Sequence, residues 1–79
     1  MVDISGIIKY VHRSERAKII SNDGEFYLLN GTDASGYYNE ANYKSAVAVL
    51  KFRGYSGGDH IHLKGRKIDD DHIEIEEIL

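Results

Sequence analysis

The chain has 79 residues, no cysteine and a formal net charge of −3. A chain of this size buries only about 60% of the surface its unfolded form exposes, so a single core is expected but no deep cleft between two lobes. The missing cysteine excludes disulfide staples, thiolate zinc sites and a thiol nucleophile. No stretch approaches the roughly 20 apolar residues of a membrane span. Met1–Ser5 lacks the basic-then-apolar pattern of a signal peptide. A single domain over residues 1–79, cytoplasmic and without membrane contact, is therefore expected.

Val2 to His12 reads as a long strand, interrupted at Gly6, where a strand glycine marks a bulge or bend. Strands that bend at such points are what a barrel needs in order to close. After a polar connection at Arg13-Ser14-Glu15, the runs Ala17–Ser21 and Glu25–Asn30 flank Asn22-Asp23-Gly24. These three residue types tolerate the positive φ of tight hairpin turns. In the second run Phe26 and Leu28 share one face, and Tyr27 and Leu29 the other.

Gly31 to Ser45 has no two-residue period. Asp33 or Asn39 is placed to cap a helix N-terminus. The spacing of Tyr43, Val47 and Leu50 gives one helical face, and Gly54 follows Lys51 and Arg53 as a C-terminal glycine would. These signals predict a helix over about 39–53. The β-branched Val47 and Val49 support the alternative, a strand over Ala46–Arg53. His60 to Lys67 then alternates, with Ile61 and Leu63 on one side and His60, His62, Lys64 and Arg66 on the other. Asp69-Asp70-Asp71 reads as a turn. His72 to Ile78 alternates again, with Ile73 and Ile75 inward and His72, Glu74 and Glu76 outward.

The order of strand, strand, strand, helix or loop, strand, strand predicts an all-β fold, a small five-stranded barrel. The segment from Gly57-Gly58-Asp59 through His60–Arg66 to His72-Ile73-Glu74-Ile75 resembles the last two strands of OB-fold domains of the replication protein A and anticodon-binding kind. Ile4-Ser5-Gly6-Ile7-Ile8 resembles their glycine-bent first strand. The resemblance implies a five-stranded OB-like barrel with its helix between strands three and four. Unlike the expected pattern, this chain is acidic overall. A small SH3-like barrel is the rival architecture.

Charge is unevenly placed. Residues 1–20 carry +2, residues 21–43 carry −4, residues 44–67 carry +5 and residues 68–79 carry −6. The acidic total argues against bulk non-specific DNA binding, which needs a basic footprint. The segregation still leaves room for one basic face, unless the blocks lie side by side and offset each other across strands. His60-x-His62 puts two imidazoles on one strand face but lacks a third ligand of fixed position. Gly54-Tyr55-Ser56-Gly57-Gly58 lacks the Gly-Lys-Ser/Thr ending of a phosphate loop. No nucleophile-elbow motif accompanies the scattered Ser, His and Asp residues. No metal, no cofactor and no catalysis are expected.

The functional signal is a basic set interleaved with aromatics. In an OB barrel, single strands lie across the second and third strands, stacking bases on aromatics and tracking phosphates with cations. The expected contact set for single-stranded nucleic acid is Tyr10 and Tyr27 for stacking, with Arg16, Lys18, Lys64 and Arg66 for phosphate. Lys18 and Arg66 are expected to approach the strand together. The alternative is a protein-interaction module whose partner meets the Tyr37–Tyr43 segment or an exposed edge strand.

Overall fold

The computed structural model describes residues 1–79. Strand β1 spans Val2–Tyr10, β2 Ala17–Ser21 and β3 Gly24–Leu29. Helix α1 spans Glu40–Phe52, and β4 (His60–Asp69) and β5 (His72–Ile78) follow. The strands close into a barrel in the order β1-β2-β3-β5-β4, with β4 returning to β1. All pairings are antiparallel except β3 with β5. A closed five-stranded barrel with one helix between the third and fourth strands is compatible with the OB-like arrangement.

Closure depends on β1. Its first half, Val2–Ile7, pairs with β4, and its second half, Ile7–Tyr10, pairs with β2. The exchange occurs at Gly6, where a Cβ would sit 2.3 Å from the Ile20 carbonyl oxygen. No side chain fits there, so glycine lets the two backbones cross. Gly65 repeats the device between β4 and β5: a Cβ there would lie 2.4 Å from the Glu74 carbonyl oxygen, beside a register shift at Lys64/Gly65.

The core follows from alternation. Ile4 and Ile8 of β1, Ala17 and Ile19 of β2, Phe26 and Leu28 of β3, Ile61 and Leu63 of β4, and Ile73 and Ile75 of β5 form one buried cluster. Ala46, Val47 and Leu50 of α1 belong to the same cluster, so the helix is part of the core. The Asn22-Asp23 connection is the expected hairpin turn, but positive φ falls on Gly24 alone.

Helix wins over strand in the 40–53 region because both ends and one face agree. The Asn39 side chain accepts the Ala41 N–H at 3.0 Å, and the Asn42 side chain accepts the Asn39 N–H in return. At the other end Gly54 (φ 86°) donates to Lys51 O and Tyr55 to Leu50 O, which satisfies the last carbonyls. Of the two β-branched residues, Val47 enters the buried stripe with Tyr43, Ala46 and Leu50, while Val49 faces partly outward. No helix is long and apolar enough to cross a membrane.

Candidate nucleic-acid interface

The registers of β1, β2, β3 and β5 place four outward side chains in one row. Lys9 is opposite Lys18, Lys18 opposite Tyr27, and Tyr27 opposite His72. Because β3 lies between β2 and β5, the Tyr27 ring has Lys18 toward one side and His72 toward the other. The Lys18 Nζ lies 4.6 Å from the Tyr27 ring centroid, and His72 stacks on Tyr27 with centroids 5.4 Å apart and planes inclined by 28°. Tyr38, from the loop before α1, stacks on His72 at 4.8 Å. The result is a layered ladder of Lys18, Tyr27, His72 and Tyr38. Tyr43 of α1 stands edge-on to Tyr27 at 6.0 Å and to Tyr38 at 5.8 Å.

Hydrogen bonds fix the imidazole. Burial pulls the Asp69 carboxyl upward, but the Asp71 N–H, the His72 ring and the Tyr38 hydroxyl outweigh it, and its pKa falls below the usual carboxylate value. An ionised Asp69 accepts from His72 Nδ1 at 2.8 Å, so Nδ1 carries the proton. In the neutral ring Nε2 is then an acceptor, and the Tyr43 hydroxyl donates to it at 2.6 Å. Burial, helped by Tyr38, raises the Tyr43 phenol above its ordinary value against the pull of Arg16, which keeps it a donor. Tyr43 is only 7% exposed, so its hydroxyl orients the His72 ring from within.

Arg16 completes the face. Its guanidinium carbon lies 4.1 Å from the Tyr43 centroid and 6.0 Å from that of Tyr27. Its hydrogen bond to Glu40 raises an already high pKa, so the charge is permanent. Lys18 pairs with Glu25 at 3.6 Å. Half-exposed ion pairs of this kind hold about 0–1 kcal/mol each, so an incoming phosphate exchanges for the carboxylate at small cost.

The structure therefore brings together Arg16, Lys18 and Tyr27 of the sequence-derived set. It leaves the other three elsewhere. The Tyr10 hydroxyl donates to the Tyr55 carbonyl at 2.7 Å, and its ring sits under the Lys51 Nζ at 5.2 Å. Together with Gly54–Gly57, both residues line an open concavity of about 430 Å³ at the end of α1. Lys64 stands between Asp3 and Glu77 in register, the cross-strand charge balance that the sequence also allowed. Arg66 on β4 stands opposite Glu74 in register, whereas Lys18 on β2 stands opposite Tyr27, so the two belong to different rows of the barrel wall. Arg66 instead donates to Thr32 Oγ1, Asp33 O and Ala34 O and pairs with Glu74. Glu74, expected to point into solvent, is buried by that loop.

Two participants, His72 and Tyr38, lie outside the expected nucleic-acid contact set, although Tyr38 belongs to the segment expected to meet a protein partner. The parallel β3–β5 pairing that brings His72 beside Tyr27 joins residues far apart in the chain and leaves no local pattern. Tyr38 had a signal, since an aromatic in a polar loop needs a surface to cover. His62 pairs with Asp3 and His60 stands alone, and no group of three metal-ligating side chains converges. Comparison with protein-family models, curated proteins and solved structures returned no match.

Proposed function

We propose that this chain is an OB-like, non-enzymatic binding module that takes single-stranded nucleic acid across the outer face of β2 and β3. The observation that carries the reading is the convergence of Arg16, Lys18 and Lys9 with the Tyr27–His72–Tyr38 ladder on one face. Cations supply the salt-dependent phosphate attraction, and the rings supply sequence-tolerant stacking. The Lys18 ammonium over Tyr27 sets the order of events. A phosphate draws Lys18 off the ring, and the uncovered face of Tyr27 then accepts a base.

The protein-interaction reading has less support. Barrel closure removes the free edge on which strand addition depends. Of the three tyrosines in the Tyr37–Tyr43 segment, Tyr38 and Tyr43 are committed to the ladder and Tyr37 is exposed, at 65%.

The test is a titration of fluorescent single-stranded oligonucleotides at low and moderate salt. Lys18→Ala should reduce the salt dependence by about one phosphate contact. Tyr27→Ala should weaken binding at every salt concentration by about 1–3 kcal/mol. Absence of binding by the unaltered protein at tens of micromolar and low salt, about −6 to −7 kcal/mol, would end this reading.

A further inference from the structure

The loop between β3 and α1, residues 30–39, delivers Tyr38 to the ladder; its two ends are tied to α1, where Asn30 meets Asn42 and Ser45 and the Asn39 N–H meets Asn42, and its middle is held from the barrel. The anchor of that middle stretch is an ion pair rising from β4 and β5, with Glu74 buried and Arg66 half-buried. Glu74 Oε2 accepts both the Thr32 N–H and the Thr32 hydroxyl at 2.6 Å, while Glu74 Oε1 lies 3.3 Å from Arg66 Nη2. Arg66 in turn donates to Thr32 Oγ1 at 2.8 Å, to Asp33 O at 2.7 Å and to Ala34 O at 3.0 Å. A guanidinium suits this task because its fixed fork can serve several oxygens at once. From there the chain stays stiff. Asp33 Oδ1 accepts the Ser35 N–H at 2.9 Å, the Ser35 hydroxyl at 2.6 Å and the Tyr37 N–H at 3.0 Å. The next residue is Tyr38, lying flat on His72.

We propose that Arg66 and Glu74 form a clamp that positions Tyr38 as the outer layer of the ring ladder. Arg66 is then a positioning residue for the binding face and makes no phosphate contact itself. Both of its terminal nitrogens already point at the loop, and in register it faces Glu74, outside the Lys9–Lys18–Tyr27–His72 row. The importance of the clamp for binding rests on the nucleic-acid reading; the clamp itself does not.

The first arm of the test needs no ligand. Tyr38 stacked on the imidazole shifts the His72 ring protons in the NMR spectrum, and Tyr38→Ala gives the position without it. Arg66→Ala and Thr32→Val should both move the His72 signals toward that position. Thr32→Val keeps the Arg66–Glu74 pair, so it serves even if Arg66→Ala, which strands a buried carboxylate, fails to fold. His72 signals unchanged in Thr32→Val, while Tyr38→Ala moves them, would overturn the clamp.

The second arm uses a fluorescent mixed-sequence oligonucleotide at two salt concentrations. Arg66→Ala should bind about tenfold more weakly, the size of one lost stack, with an unchanged salt slope. In a Tyr38→Ala background it should cost nothing further, because coupled residues are not additive. A slope reduced by about one contact, with additive losses, would make Arg66 a direct phosphate ligand and overturn the proposal. Shifted His72 signals in a protein that binds no oligonucleotide would uphold the clamp and reject the nucleic-acid reading alone.

Discussion

Single atoms decide where this barrel bends. A methyl at Gly6 would meet the Ile20 carbonyl carbon at 2.9 Å as well as its oxygen, and backbone cannot swing aside as a side chain can. Gly6→Ala should therefore cost at least about 2 kcal/mol in urea denaturation, at the severe end of overpacking; a midpoint unchanged from the parent protein would refute the crossing. The glycine was legible as a bend. The identity of the atom it makes room for was not, because that atom belongs to another strand. Asp33 works at the same scale. The Ser35 hydroxyl and then the Tyr37 N–H hold its carboxyl below the usual value. A lowered folded pKa means that this group stabilises the loop fully above about pH 4, the unfolded value, and stops doing so as pH falls through the folded one. Acid titration followed by amide NMR should show the Ser35 and Tyr37 signals moving before the core strands unfold, and in Asp33→Asn that early step should vanish.

At the scale of elements, the helix was the most open question in the sequence and the one its local chemistry answers best. Asn39, Tyr43, Val47, Leu50 and Gly54 were each readable, and all occupy the expected places: cap, buried stripe and terminating glycine. The β-branched pair misled in the other direction because strand propensity is a weak preference that packing overrides. Asn39→Ala removes one half of a reciprocal cap and should lower stability by about 1 kcal/mol; a loss below a few tenths would show that the Asn42 bridge to the Asn30 carbonyl at 3.0 Å holds the helix start by itself. The loop before the helix was not legible. Its link to the barrel comes from Glu74 and Arg66, two residues that alternation alone assigns to solvent.

The whole molecule settles which charges meet. Strand order and hairpin turn were readable from alternation and turn chemistry, whereas barrel closure through the parallel β3–β5 contact is a long-range event. That contact sorts the sequence-derived cations into two groups. Arg16 and Lys18 stand with the rings, each also paired with a half-exposed carboxylate, while Lys64 and Arg66 stand away from the rings among carboxylates and loop carbonyls. An acidic chain thus brings three cations and the rings to one face, where an incoming phosphate competes with Glu25 and Glu40 and distant charges are screened within about 10 Å. The most direct test is an NMR map of the protein titrated with an unlabelled single-stranded oligonucleotide at low salt. Shifts should concentrate at Lys9, Arg16, Lys18, Tyr27, Tyr38 and His72 and fade as salt is added. No shifts at all, or shifts confined to the exposed end of α1 around Ala48 and Phe52, would contradict the nucleic-acid reading.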